Sequence, residues 1–590
     1  MSDPQQPAAT GPEAGGGMRS YASAVPNLFP PPESMRPTLI GQRYMISAGH
    51  PLVAQVAARI LEQGGTAIDA GVTAGLASNV VQADMCNLGG VAPILLRRAG
   101  DSRVWSISGV GTWSRQASIE GFRSRYPDDM PLGAACSIVP AALDAWITAL
   151  GRFGTLSFAE AAASAIAYAA EGLLLDRRTA LAYELMGAGF EGWETTRAIY
   201  WPKGRPPREG ERLQQPDLAA TLQRLAHAER GADRKEALEN VRRCFYEGEI
   251  AARIVDWVQE GGGWMTQEDM ASFRCEVLPA PSYDYSGWRI HTGDMFCQGP
   301  VLLQALSLLA TFDLKELGHN SADYLHLLSE VLKLAFSDRE RFYGDPNFTS
   351  VQIGDLLAEP HVRELRAMIR MDQALPDLPT RSLARPRRRD TTYFAVVDAD
   401  GNAFSCSPSD TIDGSPIVPG LGFIVSPRGV QSRLDPNHPA SLQPGKRPRL
   451  TPSPGLATAA AGRTDAAVMA FGAPGGDVIT QGMLQAVLNL LVFGMTPQQA
   501  VEAPRIASLA FPDSFYPHVH EEGRLSIEGR VPIAVQQELA SRGHKVVPWP
   551  DFEFDASGVC LVLSSAAPDG DGCLLAGAAD PRRSGYALGR

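Results

Sequence analysis

Apolar positions recur at two different periods along this chain, and the change of period divides it. Leu52, Val53, Val56 and Ile60 are spaced for one face of a helix, which Gly64-Gly65 ends. A second helix is predicted from Ala67 to about Val81, and the alanine-rich stretch from Pro140 to Ala170 reads as helical. Asn320-Ser321 can cap a long helix carrying Leu325, Leu328, Val331, Leu332 and Ala335, which Gly344-Asp345-Pro346 stops. Residues 201–216, rich in proline, glycine and charge, read as a surface excursion. Beyond Asp390 the period falls to two. Tyr393 to Val397 predicts a strand, Asp398 to Asn402 a turn, and Ala403 to Ser407 a return strand. Val559 to Ser564 and Cys573 to Gly577 flank a second turn, Pro568 to Gly572, and Val478 to Leu491 reads as a core helix between the two hairpins. Strands, then helix, then strands implies a layered α/β sandwich rather than βαβ repeats.

The stretch from Met371 to Asp390 separates the two textures. Pro376, Pro379 and Pro386 break any regular element, and Arg381, Arg385, Arg387, Arg388 and Arg389 crowd together. They lack interleaved aromatics, and the chain carries a net charge of −12. They therefore read as a solvated linker rather than a nucleic-acid patch. An exposed segment of this kind is what a chain-cleavage site requires. A cut between Asp390 and Thr391 would give Thr391 a free α-amine beside its hydroxyl. Such an amine has a pKa of about 7.7–8.0. It can take the hydroxyl proton near neutral pH, so one residue supplies nucleophile and base.

The 590 residues are 44% hydrophobic and 20% charged, an ordinary globular composition that allows two to four domains. The acidic balance argues against nucleic-acid and anionic-membrane partners. Eight cysteines form no C-x-x-C pair and read as buried thiols of a reducing compartment. Residues 1–37 read as a disordered tail whose start lacks a signal-peptide pattern. The longest apolar run, Pro300 to Phe312, is too short to span a bilayer. A soluble, cytoplasmic protein is expected.

Most short motifs resolve to structure. Asp398-Ala399-Asp400 lacks the remaining ligands of a calcium loop, and Gly109-Val110-Gly111 lacks the third glycine of a dinucleotide fingerprint. His518 and His520 read as surface histidines. No metal and no cofactor is expected. Phe471-Gly472-Ala473-Pro474-Gly475-Gly476-Asp477 is different, because it directly precedes the predicted helix from Val478. Its glycine amides can point from a helix N-terminus and form an oxyanion hole.

Together, Thr391-Thr392 with the hairpin, Gly445-Lys446-Arg447-Pro448, Pro474-Gly475-Gly476, Ala503-Pro504-Arg505, Asp580-Pro581-Arg582-Arg583 and the early Ala48-Gly49-His50-Pro51…Gly64-Gly65-Thr66-Ala67-Ile68-Asp69-Ala70 stretch resemble the γ-glutamyltransferase family of N-terminal-nucleophile hydrolases over residues 38–590. The resemblance implies an αββα four-layer sandwich and self-cleavage into segments 38–390 and 391–590 that stay intertwined. It matches Thr391 to the nucleophile, Ser409 to its hydrogen-bonding hydroxyl, and Gly475 and Gly476 to the oxyanion hole.

The departures concern the donor pocket. Tyr393 replaces a histidine, Val110 (with Arg115 nearby) the arginine for the α-carboxylate, and Gln431 the acid for the α-amine. Leu450 and Thr451 replace paired serines, Thr411 an asparagine, and Asp435 to Gly445 is too short for the lid loop. Each lost charge-assisted hydrogen bond weakens glutamyl recognition by about 1.5–3 kcal/mol. The resemblance therefore implies a zymogen that becomes an amidase or acylase for a small, non-γ-glutamyl amide. The alternatives are a γ-glutamyl hydrolase or transferase acting on glutathione, and an uncleaved binding protein on the same fold.

Overall fold

The computed structural model describes residues 33–127, 129–376, 390–460, 467–567, 569–570 and 572–590. The arginine-rich linker and most of the expected tail lie outside the described residues. Of that tail, Met35 and Arg36 donate their backbone N–H groups to the Glu502 carboxylate at 2.6 and 3.2 Å.

Strand Phe394–Asp398 shows how the layers arise. Its side chains alternate between two apolar environments. Phe394 and Val396 join a core with the helices Pro51–Glu62, Ala67–Val81, Ala142–Phe153 and Phe158–Glu171. Tyr393, Ala395 and Val397 face the other way and meet Leu456, Val468, Ala470, Val562 and Leu575 of a second sheet. That second sheet turns Ala457, Met469, Phe471 and Leu561 onto the helices Pro300–Leu309, Ala322–Phe342 and Ile479–Leu491. Helices, sheet, sheet, helices: this is the expected αββα sandwich.

One sheet has the strand order Tyr586–Gly589, Tyr44–Ala48, Phe394–Asp398, Ala403–Cys406, Ile94–Arg97, Trp105–Ile107, Val277–Pro279. The other runs Leu39–Gly41, Cys573–Ala579, Cys560–Ala566, Val468–Gly472, Gly455–Ala459, Trp288–Thr292, Ser282–Tyr285. Both sheets combine strands from before and after Asp390. Phe394–Asp398 is paired on one side with Tyr44–Ala48 and on the other with Ala403–Cys406.

Helix Ala67–Val81 is buried on every face, with a capping box from Thr66 and Asp69 at its start. It lies against the sheet at Gly71, where a Cβ would come within 2.3 Å of the Phe404 ring. The stretch Pro140 to Ala170 is two helices rather than one. Gly154 ends the first, and Ser157 with Glu160 caps the second. His518 and His520 are not surface residues. Their loop folds inward, His520 is 7% exposed, and burial pushes the His518 imidazole well below its usual range. Among the described residues, no helix is long and apolar enough to cross a membrane.

Candidate active site

Strand register builds the centre of the site. Phe394 pairs with Cys406 in the hairpin, and continuing that register outward places Thr391 opposite Ser409, where the structure has an isolated bridge. Both are buried, and their hydroxyl oxygens are 2.9 Å apart. Ser409 Oγ also donates to the Asp390 carbonyl oxygen at 3.1 Å. A serine hydroxyl has one proton and two lone pairs. With its proton given to Asp390, Ser409 must accept from the Thr391 hydroxyl.

The second acceptor position of Ser409 is taken by a residue that sequence reasoning missed. The Arg428 guanidinium donates to Ser409 Oγ and to the Asp410 carboxylate. It also donates to Gln431 Oε1 at 3.1 Å and to Thr451 Oγ1 at 3.3 Å, and its carbon lies 5.4 Å from the centre of the Phe515 ring. It is 1% exposed. Its signal was a lone charge inside the otherwise apolar run from Leu421 to Val430. Asp410 holds this cation from a left-handed backbone position, φ 96°, unfavourable for a residue with a Cβ.

Arg428 thus gathers Gln431 and Thr451 to Ser409, beside Thr391. Thr411 is not brought in, because its hydroxyl turns to the Asp413 carboxylate. Val110 packs in an apolar group with Trp113, Val430, Leu450 and Phe515. It also lines a second, solvent-open cleft of about 630 Å³ with Arg115, Glu276 and Arg447. Arg115 reaches outward to Glu268 at 3.2 Å and takes no part in the centre.

The glycine turn follows strand Val468–Gly472 and enters helix Ile479–Leu491 through one tight turn, Gly476–Val478. Gly475 and Gly476 have φ of 120° and 59°, conformations that suit glycine. Among the described residues neither amide N–H has a hydrogen-bond partner, so both are available to a ligand oxygen. Gln298, also missed from sequence, ties this turn to the Arg428 group. Its Nε2 donates to Thr451 O at 3.0 Å and to Gly476 O at 2.8 Å.

The residues after Thr391 anchor it. Thr392 Oγ1 donates to Gln82 Oε1 at 2.9 Å. Gly49 leaves room for it, since a Cβ there would come within 2.4 Å of Thr392 Oγ1. Tyr393 points between the sheets, and its hydroxyl lies 2.8 Å from Ser405 Oγ. Beside Thr391 opens a cleft of about 510 Å³, lined by His50, Asp84, Arg178, Pro474 and Arg583 among others. Burial, aided by the nearby Asp390 charge, pushes the Asp84 carboxyl up to about 7.

One group elsewhere has metal-type donors, with ligand atoms of His326, Glu330 and His544 all within 4.8 Å of one another. His326 Nδ1 and His544 Nε2 are 2.9 Å apart, and Lys333 Nζ is 3.0 Å from Glu330. A lysine cation beside the carboxylate disfavours a second cation there.

The chemistry of the centre is that of acyl transfer. The Thr391 hydroxyl sits beside a hydroxyl that a buried cation polarises, and among the described residues two free backbone amides lie in the turn tied to them. Comparison with known proteins agrees. The chain is 32% identical to the Acylase ACY 1 proenzyme of Pseudomonas sp. (strain SE83), over 92% of this chain and 93% of the relative. It is 31% identical to the Glutathione hydrolase-like YwrD proenzyme of Bacillus subtilis (strain 168), over 94% of this chain and all of the relative. Its fold matches the crystal structure of cephalosporin acylase from Bacillus halodurans with a TM-score of 0.82 and 30% identity, over 96% and 99% of the two chains. The family model for gamma-glutamyltranspeptidase matches residues 53–590. By fold, by site chemistry and by kinship, the chain is an amide-bond hydrolase or acyltransferase of the N-terminal-nucleophile class and belongs to the gamma-glutamyltranspeptidase family.

Proposed function

We propose that this chain is a zymogen that cleaves itself between Asp390 and Thr391, and that its new N-terminal threonine then hydrolyses a small amide whose acyl part is not γ-glutamyl. The observation carrying the substrate reading is the buried Arg428 guanidinium. It bonds Ser409, Gln431 and Thr451, the positions that resemble the nucleophile's partner and the donor pocket. Gln431 is neutral and its Oε1 already accepts from Arg428, while the nearby Asp410 carboxylate is paired with the same guanidinium, so the α-ammonium of a γ-glutamyl donor meets a cation whose acceptors are taken up. The apolar group around Val110 and Leu450 favours an acyl end without that zwitterion.

The identity of the base follows by elimination. Among the described residues no carboxylate or imidazole hydrogen-bonds Thr391 Oγ1, whose partner is Ser409. The Thr391 α-amine released by cleavage is then the available base. In turnover the Thr391 hydroxyl adds to the substrate carbonyl and passes its proton to that amine. The Gly475 and Gly476 amides receive the oxyanion, a contribution of about 2.7–4 kcal/mol per donor. The amine side leaves with the proton, and water releases the acid from the acyl-enzyme.

The test is a substrate panel. Intact-mass measurement should find fragments of residues 1–390 and 391–590 that co-purify. The processed enzyme should hydrolyse members of a set of acyl amides and lactams and leave a γ-glutamyl anilide almost untouched. Robust turnover of the anilide would refute the substrate reading. It would favour a glutathione-type activity, the one that the name of the B. subtilis relative carries.

A further inference from the structure

The residue before the nucleophile is held by a charge from the far end of the chain. Asp390 has three acceptor oxygens, and each is engaged. Its carbonyl oxygen accepts from Ser409 Oγ at 3.1 Å, and Oδ1 accepts from the Thr391 N–H at 2.9 Å. Oδ2 forms an ion pair with Arg583. Arg583 is itself fixed: Nε donates to Phe554 O at 3.0 Å, and the guanidinium lies over the Phe554 ring. Gly558 leaves space for its stem, since a Cβ there would come within 2.2 Å of Arg583 Cγ. Arg178 lies over the same Phe554 ring and lines the same cleft. Asp84 and Asp580 line that cleft too.

We infer that Arg583 is a positioning residue for self-cleavage: by gripping the Asp390 side chain it orients the scissile carbonyl toward the Thr391 hydroxyl. This rests on the proposed cleavage between the two residues. In the step, Thr391 Oγ bonds to the Asp390 carbonyl carbon, the C–N bond breaks, and the hydroxyl proton ends on the Thr391 nitrogen. Water then hydrolyses the ester, leaving a carboxylate on Asp390 and regenerating the hydroxyl. Reaction of this kind depends on the angle and distance of approach, and an error of about 1 Å slows it about 100-fold. The Ser409 bond fixes one atom of the carbonyl. The Arg583 pair fixes the side chain on the opposite side of the Asp390 Cα, so the carbonyl cannot rotate about it. The pair also makes a specific demand on the residue before the cut, which must carry a carboxylate at the reach of aspartate.

The experiment is a time course of fragment appearance during cell-free synthesis, read by mass. Asp390→Ala and Arg583→Met should each slow cleavage about 100-fold. Their combination should be no slower than either, because both remove the same contact. Arg583→Lys, which restores a cation without the planar fork, should recover most of the rate. A bystander in the fold would show no such recovery and no such coupling. A native rate in Asp390→Ala overturns the proposal, as does Arg583→Met slowing the Asp390→Ala chain as strongly as the native one. Either result, with the native chain still splitting, leaves the proposed function standing. A native chain that stays in one piece overturns both.

Discussion

Two buried arginine clusters organise this protein, and they differ in what they end on. Arg582 donates to the Glu528 carboxylate at 2.6 and 2.7 Å, to Asp580 at 3.0 Å, and to the carbonyls of Val501 and Ala503. Arg505 closes the same group through Asp580 at 2.6 Å. Every partner is a carboxylate or a carbonyl, and none can react. Arg428 is as deeply buried and also pairs with one carboxylate, that of Asp410, but its other contacts end on hydroxyls and an amide, including the serine that touches Thr391. The comparison teaches that buried charge alone does not mark a site. A charge that terminates on reactive hydroxyls does, and one that terminates on fixed acceptors ties segments together. Ala503-Pro504-Arg505 and Asp580-Pro581-Arg582 are prominent in the sequence for that second reason.

The largest effect should come from the atom both readings leave to chemistry. Thr391→Ala should yield a single chain of about 63 kDa on intact-mass analysis, with no amide turnover. In that uncleavable background, Arg582→Met removes the cation that Glu528 and Asp580 share, leaving them Arg530 and Arg505 respectively. It should lower unfolding stability in urea by about 3–5 kcal/mol, the usual effect of breaking a buried pair. Equal behaviour of Arg428→Met made together with Asp410→Asn would erase the distinction. That double change removes both charges, so it should be mild for stability and yet slow fragment formation. Ser409→Ala removes the donor to the Asp390 carbonyl and should slow cleavage about 10²–10³-fold in the same time course.

The smallest effect concerns the cleft between the clusters. The Asp84 carboxyl titrates at about 7 when folded and near the ordinary aspartate value of about 3.9 when unfolded. Between those values the folded state holds the extra proton. The contribution of Asp84 to stability should therefore be full below about pH 4 and be lost as pH rises toward 7, by at most about 1.4 kcal/mol per pH unit. Asp84→Asn in the Thr391→Ala chain should flatten that slope in urea titrations at successive pH values. An unchanged slope would show that Asp84 is ionised throughout.

Much of this was legible locally. The period-two run after Asp390 marked the hairpin, and the hairpin register alone carries Thr391 to Ser409. The glycine turn before the helix was visible as a candidate oxyanion hole. One expectation failed. His518 and His520 lie in a proline-bounded loop that looks exposed, but tertiary packing folds it inward. Spacing is silent on side-chain partners: the Thr411 hydroxyl bonds Asp413 two residues on, and Val110 packs in an apolar group.

The sequence by itself determined the threonine pair after Asp390, the glycine pair and the alternation that makes two sheets. All of these depend on contacts within a few residues or on strand periodicity. Only the tertiary structure decided which side chains serve them. Arg428, Gln298 and Arg583 come from three distant segments, and nothing in periodicity or spacing separates an arginine aimed at a buried serine from one aimed at water. That choice is made when the sandwich closes, because a guanidinium excluded from solvent must find its acceptors wherever the fold has put them.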